Sequence, residues 1–172
     1  PAERLELLKL LSRFALTTAQ AIRWYDRLKR NKGTSVKVSD SEIINNPYRI
    51  SETDLGDLDD SPVSVGAIDR GLMPESTIAA KHPVPSPSAV GSPQDSRRIR
   101  SAIVTVLREA SKNGDALLSI NEALQRVAII DLAHPCVVGS DWPAANKTFI
   151  QGVVEVVEVV KMENDDENIM AL

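Results

Sequence analysis

A chain of 172 residues holds one large domain or two small ones, enough for a real core but too little for a large multidomain enzyme. With 42% hydrophobic, 26% charged and only 3% aromatic residues, its core must be built from Leu, Ile, Val and Ala. The net charge is −4, and the single cysteine, Cys136, excludes an intramolecular disulfide framework and suits a reducing compartment. No apolar run approaches the roughly 20 residues that span a bilayer, and no signal-peptide core opens the chain, so a cytoplasmic location without membrane partners is expected. A start at Pro1 rather than Met is expected of a processed protein or a fragment of a longer one.

The charge is segmented. Residues 1–50 carry ten Lys/Arg against five Asp/Glu, and residues 51–95 carry two against eight. Residues 96–131 carry six against four, and 132–172 two against seven. Basic and acidic surfaces therefore alternate along the chain, and the whole-chain charge says little about what each one meets.

Leu7, Leu10, Leu11 and Phe14 fall on one face of a first predicted helix. The stretch "TTAQ" reads as a capping box, with Thr17 as N-cap and Gln20 at N3. The helix it opens carries Ala21, Trp24, Tyr25 and Leu28 at helical spacing, and it has a basic exit toward Gly33. "SDSE" repeats the capping pattern with Ser39 and Glu42, and Pro47 stops the short helix after it. Residues 51–95 are punctuated by Pro62, Pro74, Pro83, Pro85, Pro87 and Pro93. Within them, "DLGDLDDSP" reads as an acidic turn, "VSVGAIDRGLMP" as a short apolar piece broken by Gly66 and Gly71, and "KHPVPSPSAVGSPQD" as a polyproline-biased connector.

A second unit opens on Asp95 or Ser96 as N-cap. Ile99, Ala102, Ile103, Val106, Leu107 and Ala110 form a helical stripe that ends near Gly114. "SINE" gives a third capping box, Ser119 with Glu122, ahead of Ile120, Ala123, Leu124, Val127 and Ala128. "VVEVVEVV" has the β-branched content of a strand, yet Lys147, Gln151, Glu155 and Glu158 trace a polar helical face, which predicts a helix over 146–157. The tail then reads as a hairpin with apolar arms around "ENDDEN". Three helices and then a hairpin is the element order of a winged helix.

No catalytic or nucleotide-binding motif is present: there is no Gly-x-x-x-x-Gly-Lys-Ser/Thr loop and no His-Glu-x-x-His. His82 and His134 each precede a proline in loop-like sequence, and with Cys136 they make a poor metal site. Asp54, Asp57, Asp59 and Asp60 lack the alternating ligand spacing of an EF-hand and read as a solvated acidic turn. The best partner surface is "RWYDRLKRNKGTSVK", where Arg23, Arg27, Lys29, Arg30, Lys32 and Lys37 lie beside two aromatics. Positive charge serves phosphates and rings serve bases. Trp24 and Tyr25 sit on the apolar stripe and are expected in the core, while phosphate contact and a plain solvated face are both open for the cations. Arg97, Arg98 and Arg100 oppose the dipole of the helix they begin, which points to a use for them there.

Four stretches in this order, "LSRFALTTAQAIRWY", "SEIINNPYRIS", "VGAIDRGLMP" and "DSRRIRSAIVTVLREASKNGDALLS", resemble the region ahead of the ATPase core in RecD-like superfamily I DNA helicases, the type of the exodeoxyribonuclease V alpha subunit. In that family a helix-hairpin-helix unit closes on Asn-Pro-Tyr-Arg and a hydrophobic residue, matched here by Asn46, Pro47, Tyr48, Arg49 and Ile50. Ile68 and Asp69, then Arg97 to Ala102, match the family's next hairpin and its Arg-rich helix start, and the resemblance covers roughly residues 5–130.

The expectation is a mainly α chain: a helix-hairpin-helix-like bundle over 1–60, a Pro-rich hairpin or linker over 61–95, and a winged-helix-like unit with a small C-terminal β-hairpin over 96–172. By resemblance it is an accessory DNA-binding or positioning region of an ATP-dependent DNA helicase of repair and recombination, not catalytic by itself. Its partners are then DNA and the motor domains of the same chain. ATP and Mg are implied for the intact protein, outside these residues, with no cofactor within them. A stand-alone winged-helix DNA-binding regulator and a helical protein-interaction module are the other classes. The valine-rich 146–157 stretch counts against the former, and the acidic blocks favour the latter.

Overall fold

The computed structural model describes residues 2–160 and 166–171, and these are mainly helical. They divide into two units. Unit 1 runs to Ser92 and takes in Leu132–His134, while unit 2 comprises Pro93–Asp131 and the chain from Pro135 onward.

In unit 1, α1 (Ala2–Leu11) buries Leu7, Leu10 and Leu11, and Phe14 beyond its end completes the predicted stripe. Each such buried side chain stabilises the fold by about 1.5–3 kcal/mol. α2 (Thr18–Tyr25) opens on the predicted capping box: the Thr17 hydroxyl accepts from the Gln20 amide, and the Gln20 side chain accepts from the Thr17 amide. The helix expected to continue through Leu28 turns a corner instead. Asp26 ends α2 by donating its amide to the Ile22 carbonyl, and it starts α3 (Arg27–Gly33) by accepting from the amides of Leu28 and Lys29. Leu28 is therefore 76% exposed, whereas Trp24 is fully buried.

The second predicted box, Ser39 with Glu42, opens α4 (Asp40–Asn45), and Pro47 stops it. Helix resumes at once in α5 (Arg49–Thr53). Between the two, Tyr48 is fully buried and donates its hydroxyl to the Asp69 carboxylate at 2.6 Å. Asp69, itself fully buried, also accepts the Ala133 amide at 2.8 Å, which holds Leu132–His134 in this unit. Asp69 lies on α6 (Val65–Leu72), capped by the Ser64 hydroxyl. Gly66 and Gly71, read as breakers, are inside this helix. Gly71 is required by close approach, since a Cβ there would lie 2.5 Å from the Phe14 ring and 2.7 Å from the Arg13 carbonyl oxygen. α7 (Ser76–Lys81) comes next, without any signal in the apolar spacing. The proline-rich segment after it is tied down: Arg13 donates to the carbonyls of His82 and Pro83, and the Ser88 hydroxyl donates to the Ile44 carbonyl at 2.7 Å.

In unit 2, α8 (Ser96–Lys112) is capped by Asp95, whose carboxylate accepts the Arg97 amide, and it buries the whole predicted stripe from Ile99 to Ala110. The two-residue β1 (Leu118–Ser119) leads into α9 (Ile120–Ile129). Ser119 caps α9 as predicted, but the Glu122 carboxylate accepts from Arg126 rather than completing the box. The helix predicted over 146–157 is corrected by the structure. Helix is confined to α10 (Trp142–Ala145) and α11 (Lys147–Ile150), and Glu155 begins β2 (Glu155–Val160). Valines restrict χ1 and fit a pleated surface better than a helix. Here they also find a partner strand.

That partner is β3 (Asp166–Ala171), antiparallel to β2 with Val156 opposite Met170 and Val157 opposite Ile169. β1 pairs with the other edge of β3, Leu118 opposite Met170, so the strand order is β1-β3-β2. Both arms of the expected hairpin are present. Asp166–Asn168, expected from the sequence in its turn, belong to β3, and the remainder of that turn lies outside the described residues. Met170, Leu118, Val127, Ile103 and Ile150 are among the buried side chains of this unit. Among the described residues no helix is long and apolar enough to cross a membrane.

Candidate functional site

The Asp26 corner sets which cations of the basic stretch point inward and which outward. Its carboxylate accepts the Leu28 and Lys29 amides at 2.8 and 3.0 Å. The Lys29 amide above all, with the Leu28 amide and the Lys29 charge, outweighs the opposing effect of burial and holds the Asp26 carboxyl below its usual range. Because the chain turns there, Arg23 on α2 and Arg27 and Arg30 on α3 meet different partners.

Arg23 is 6% exposed and spans two carboxylates of the acidic turn. It forks onto Asp54 at 3.1 and 2.8 Å and reaches Asp60 at 3.1 Å. Asp54 also accepts the Gly56 and Val63 amides, and Asp60 accepts the Thr17 hydroxyl. Half of the stretch read as a solvated acidic turn is thus an internal clasp, with Asp57 and Asp59 left exposed. The turn needs Gly56 at φ +75°, where a Cβ would lie 2.8 Å from the Asp60 carbonyl oxygen.

Three arginines converge on Asp40. Arg30, 2% exposed, donates to it and to the Trp24 carbonyl. Arg27, whose side chain is 60% exposed, donates through two nitrogens. Arg4 reaches Asp40 at 3.2 Å, donates to the Tyr25 carbonyl at 2.6 Å, and stacks its guanidinium 3.8 Å from the Tyr25 ring centroid. Burial alone would push the Asp40 carboxyl up. Hydrogen bonds from Arg27, Arg30 and Arg4, with the Arg30 charge, bring it down to about 2. Among the described residues, the Trp24 indole N–H and Arg30 Nε are buried without a hydrogen-bond partner.

With Arg23 and Arg30 internal and Arg27 bonded to Asp40, the exposed ammonium groups of the stretch are Lys29, Lys32 and Lys37. Lys29 and Lys32 line an open groove of about 470 Å³ with Ala19, Ile22, Arg23, Gly33, Gly56 and Asp57. Lys37 and Arg27 are outside that lining. The groove's second wall comes from a segment some thirty residues away in sequence, drawn in by Leu55 and Ser35 amides donating to the carbonyls of Gly33 and Thr53, each at 2.9 Å. Nothing in the sequence linked Ile22 or Asp57 to the lysines.

No family model, curated protein or solved structure matches this chain.

The remaining predicted site residues are committed within their own units. In unit 2, Arg97 forks onto Asp95 at 3.0 and 2.8 Å. Burial raises the Asp95 carboxyl, but the Arg97 hydrogen bonds outweigh it and leave it below the usual range. Arg98 has no exposure and donates to the Pro93 carbonyl at 2.9 Å. Arg100, 8% exposed, donates to the Phe149 carbonyl and lies 4.4 Å from that ring's centroid. In unit 1, the amide of Arg49 donates to the Asn46 carbonyl, and its side chain pairs with the buried Glu52 at 3.1 Å. Pro47 and Tyr48 are buried, and Asn46 Oδ1 is buried with no hydrogen-bond partner among the described residues. Among the described residues no group of His, Cys, Asp and Glu is arranged to hold a metal ion.

Proposed function

We propose that this chain is a non-catalytic DNA-positioning region of the RecD-like helicase type, with a helix-hairpin-helix-like unit 1 and a winged-helix-like unit 2. One observation carries the reading: the wiring of unit 2. Helix α8, strand β1, helix α9, the α10–α11 pair and strands β2 and β3 succeed one another along the chain, with β3 central in the order β1-β3-β2. That order supports a winged helix, an architecture that many DNA-handling proteins use, and the step from it to DNA is fold analogy. Unit 1 adds a second support, because Tyr48 and Asp69, two residues on which the resemblance rests, are hydrogen-bonded to each other in its core. On this reading the Asn46–Arg49 motif serves packing, and contact with DNA falls to exposed cations such as Lys29, Lys32 and Lys37 on unit 1 and Lys147 on unit 2.

The test is fluorescence anisotropy of labelled single-stranded and duplex oligonucleotides at salt from about 50 to 200 mM. Binding whose logarithm falls linearly with the logarithm of salt concentration is expected, because neutralised phosphates release counterions. No binding to either form at the lowest salt overturns the reading.

A further inference from the structure

We infer that the groove between α2, α3 and the Gly56–Asp57 turn is a single-strand subsite, taking one nucleotide with phosphate on Lys29 and Lys32 and base against Ile22 and Ala19. This rests on the DNA reading and adds to it a position and a strand preference. A volume of about 470 Å³ is that of a small-ligand site. It admits one nucleotide, whereas a duplex offers the lysines its phosphates but no unstacked base for Ile22 and Ala19. Lys29 and Lys32 stand one turn apart on α3, so their ammonium groups reach the same phosphate or two successive ones.

Among the described residues neither lysine is held in an ion pair, although the Asp26 charge acts on Lys29 and Asp57 brings a carboxylate to the groove's edge. Asp26 is committed to the Leu28 and Lys29 amides, and Asp57 accepts the Leu58 amide at 2.7 Å. Arg23 lends the lining its stem rather than its charge. Its guanidinium is held by Asp54 and Asp60, while its Cδ lies where a Cβ on Gly33 would come within 2.7 Å of it. Ile22, 46% exposed, supplies an apolar platform beside the lysines. Single strands are commonly held without sequence preference by a cationic groove beside aromatic stacking platforms, and here the aliphatic surface of Ile22 and Ala19 takes the place of the aromatic ring.

The test compares variants on a labelled oligo-dT strand and on a matched duplex. Lys29→Gln with Lys32→Gln is expected to weaken single-strand binding about tenfold and to lower the salt slope by about 0.7 where the lysines share one phosphate and about 1.4 where they hold two. Ile22→Ser is expected to weaken binding several-fold with the slope unchanged, because an apolar contact releases no counterion. Lys9→Gln with Lys81→Gln removes two exposed charges elsewhere in unit 1 and is expected to leave the slope nearly unchanged. The subsite is overturned if this control pair weakens binding as much as the groove pair does. It is also overturned if the duplex is bound as tightly as the single strand and responds equally to the groove variants. In both cases salt-dependent binding by the wild type leaves the DNA reading standing, whereas no binding by the wild type removes both.

Discussion

Replacing Asp40 with Asn tests whether one carboxylate organises the α1–α3–α4 corner. Asp40 is 2% exposed and takes hydrogen bonds from Arg4, Arg27 and Arg30. A carboxyl lowered from its usual 3.8 to about 2 stabilises the fold by about 2.5 kcal/mol when ionised. Because the folded-state value is depressed, this contribution is complete above about pH 4 and is lost as the pH falls through 2. Asp40→Asn removes the charge at every pH and leaves three guanidinium groups around a neutral amide, a loss of about 3–5 kcal/mol at pH 7. Urea unfolding monitored by Trp24 fluorescence reports on this unit, provided the chain's second tryptophan, Trp142, is replaced by Phe. With an m-value of about 2 kcal/mol per M, the variant's midpoint at pH 7 should be lower by about 1.5 M or more. Between pH 4 and pH 2 the wild-type midpoint should fall by about 1 M more than the variant's. Midpoints that fall in parallel would refute the assignment, as would a variant within about 0.3 M of wild type at neutral pH.

Tyr48→Phe removes one donor from the buried Asp69 carboxylate and should cost about 1–3 kcal/mol in the same assay, and an unchanged midpoint would show that the hydroxyl is dispensable. Gly71→Ala forces a methyl against the Arg13 carbonyl and the Phe14 ring and should cost about 1–3 kcal/mol. Gly91→Ala, where nothing lies within 4 Å, should stay within about 0.5 kcal/mol, and equal effects at the two glycines would contradict the packing described for α6.

Local signals in the sequence were the most legible. Thr17, Ser39, Asp95 and Ser119 all cap helices, because a cap needs only residues two or three positions away. The Asp26 corner was not legible, since apolar spacing runs through it without interruption and only tertiary packing decides between Trp24 and Leu28. The 146–157 stretch misled because its polar residues happen to fall at helical intervals. What decides for strand is β3, whose pairing lies beyond any local window. The basic stretch was visible as charge but not as geometry. The carboxylates that draw Arg23 inward lie 31 and 37 positions away, and Asp40 is ten positions from Arg30, so the division into clasps and exposed lysines emerges only on folding.

The Asp69–Ala133 hydrogen bond bears on how the protein can be cut. Unit 1 is discontinuous in sequence: three residues lying past α9 belong to it, and one of them supplies an amide to its buried carboxylate. A piece ending at residue 92 would leave that carboxylate short of a donor, while one extended to residue 134 would carry unit 1 whole with half of unit 2 attached. Proteolytic nicking at 92–93 would not release a free module, and a shuffled gene joined at that point would inherit the defect. The interdependence of the two halves is written into chain order, and a domain swap that respects it has to exchange both together.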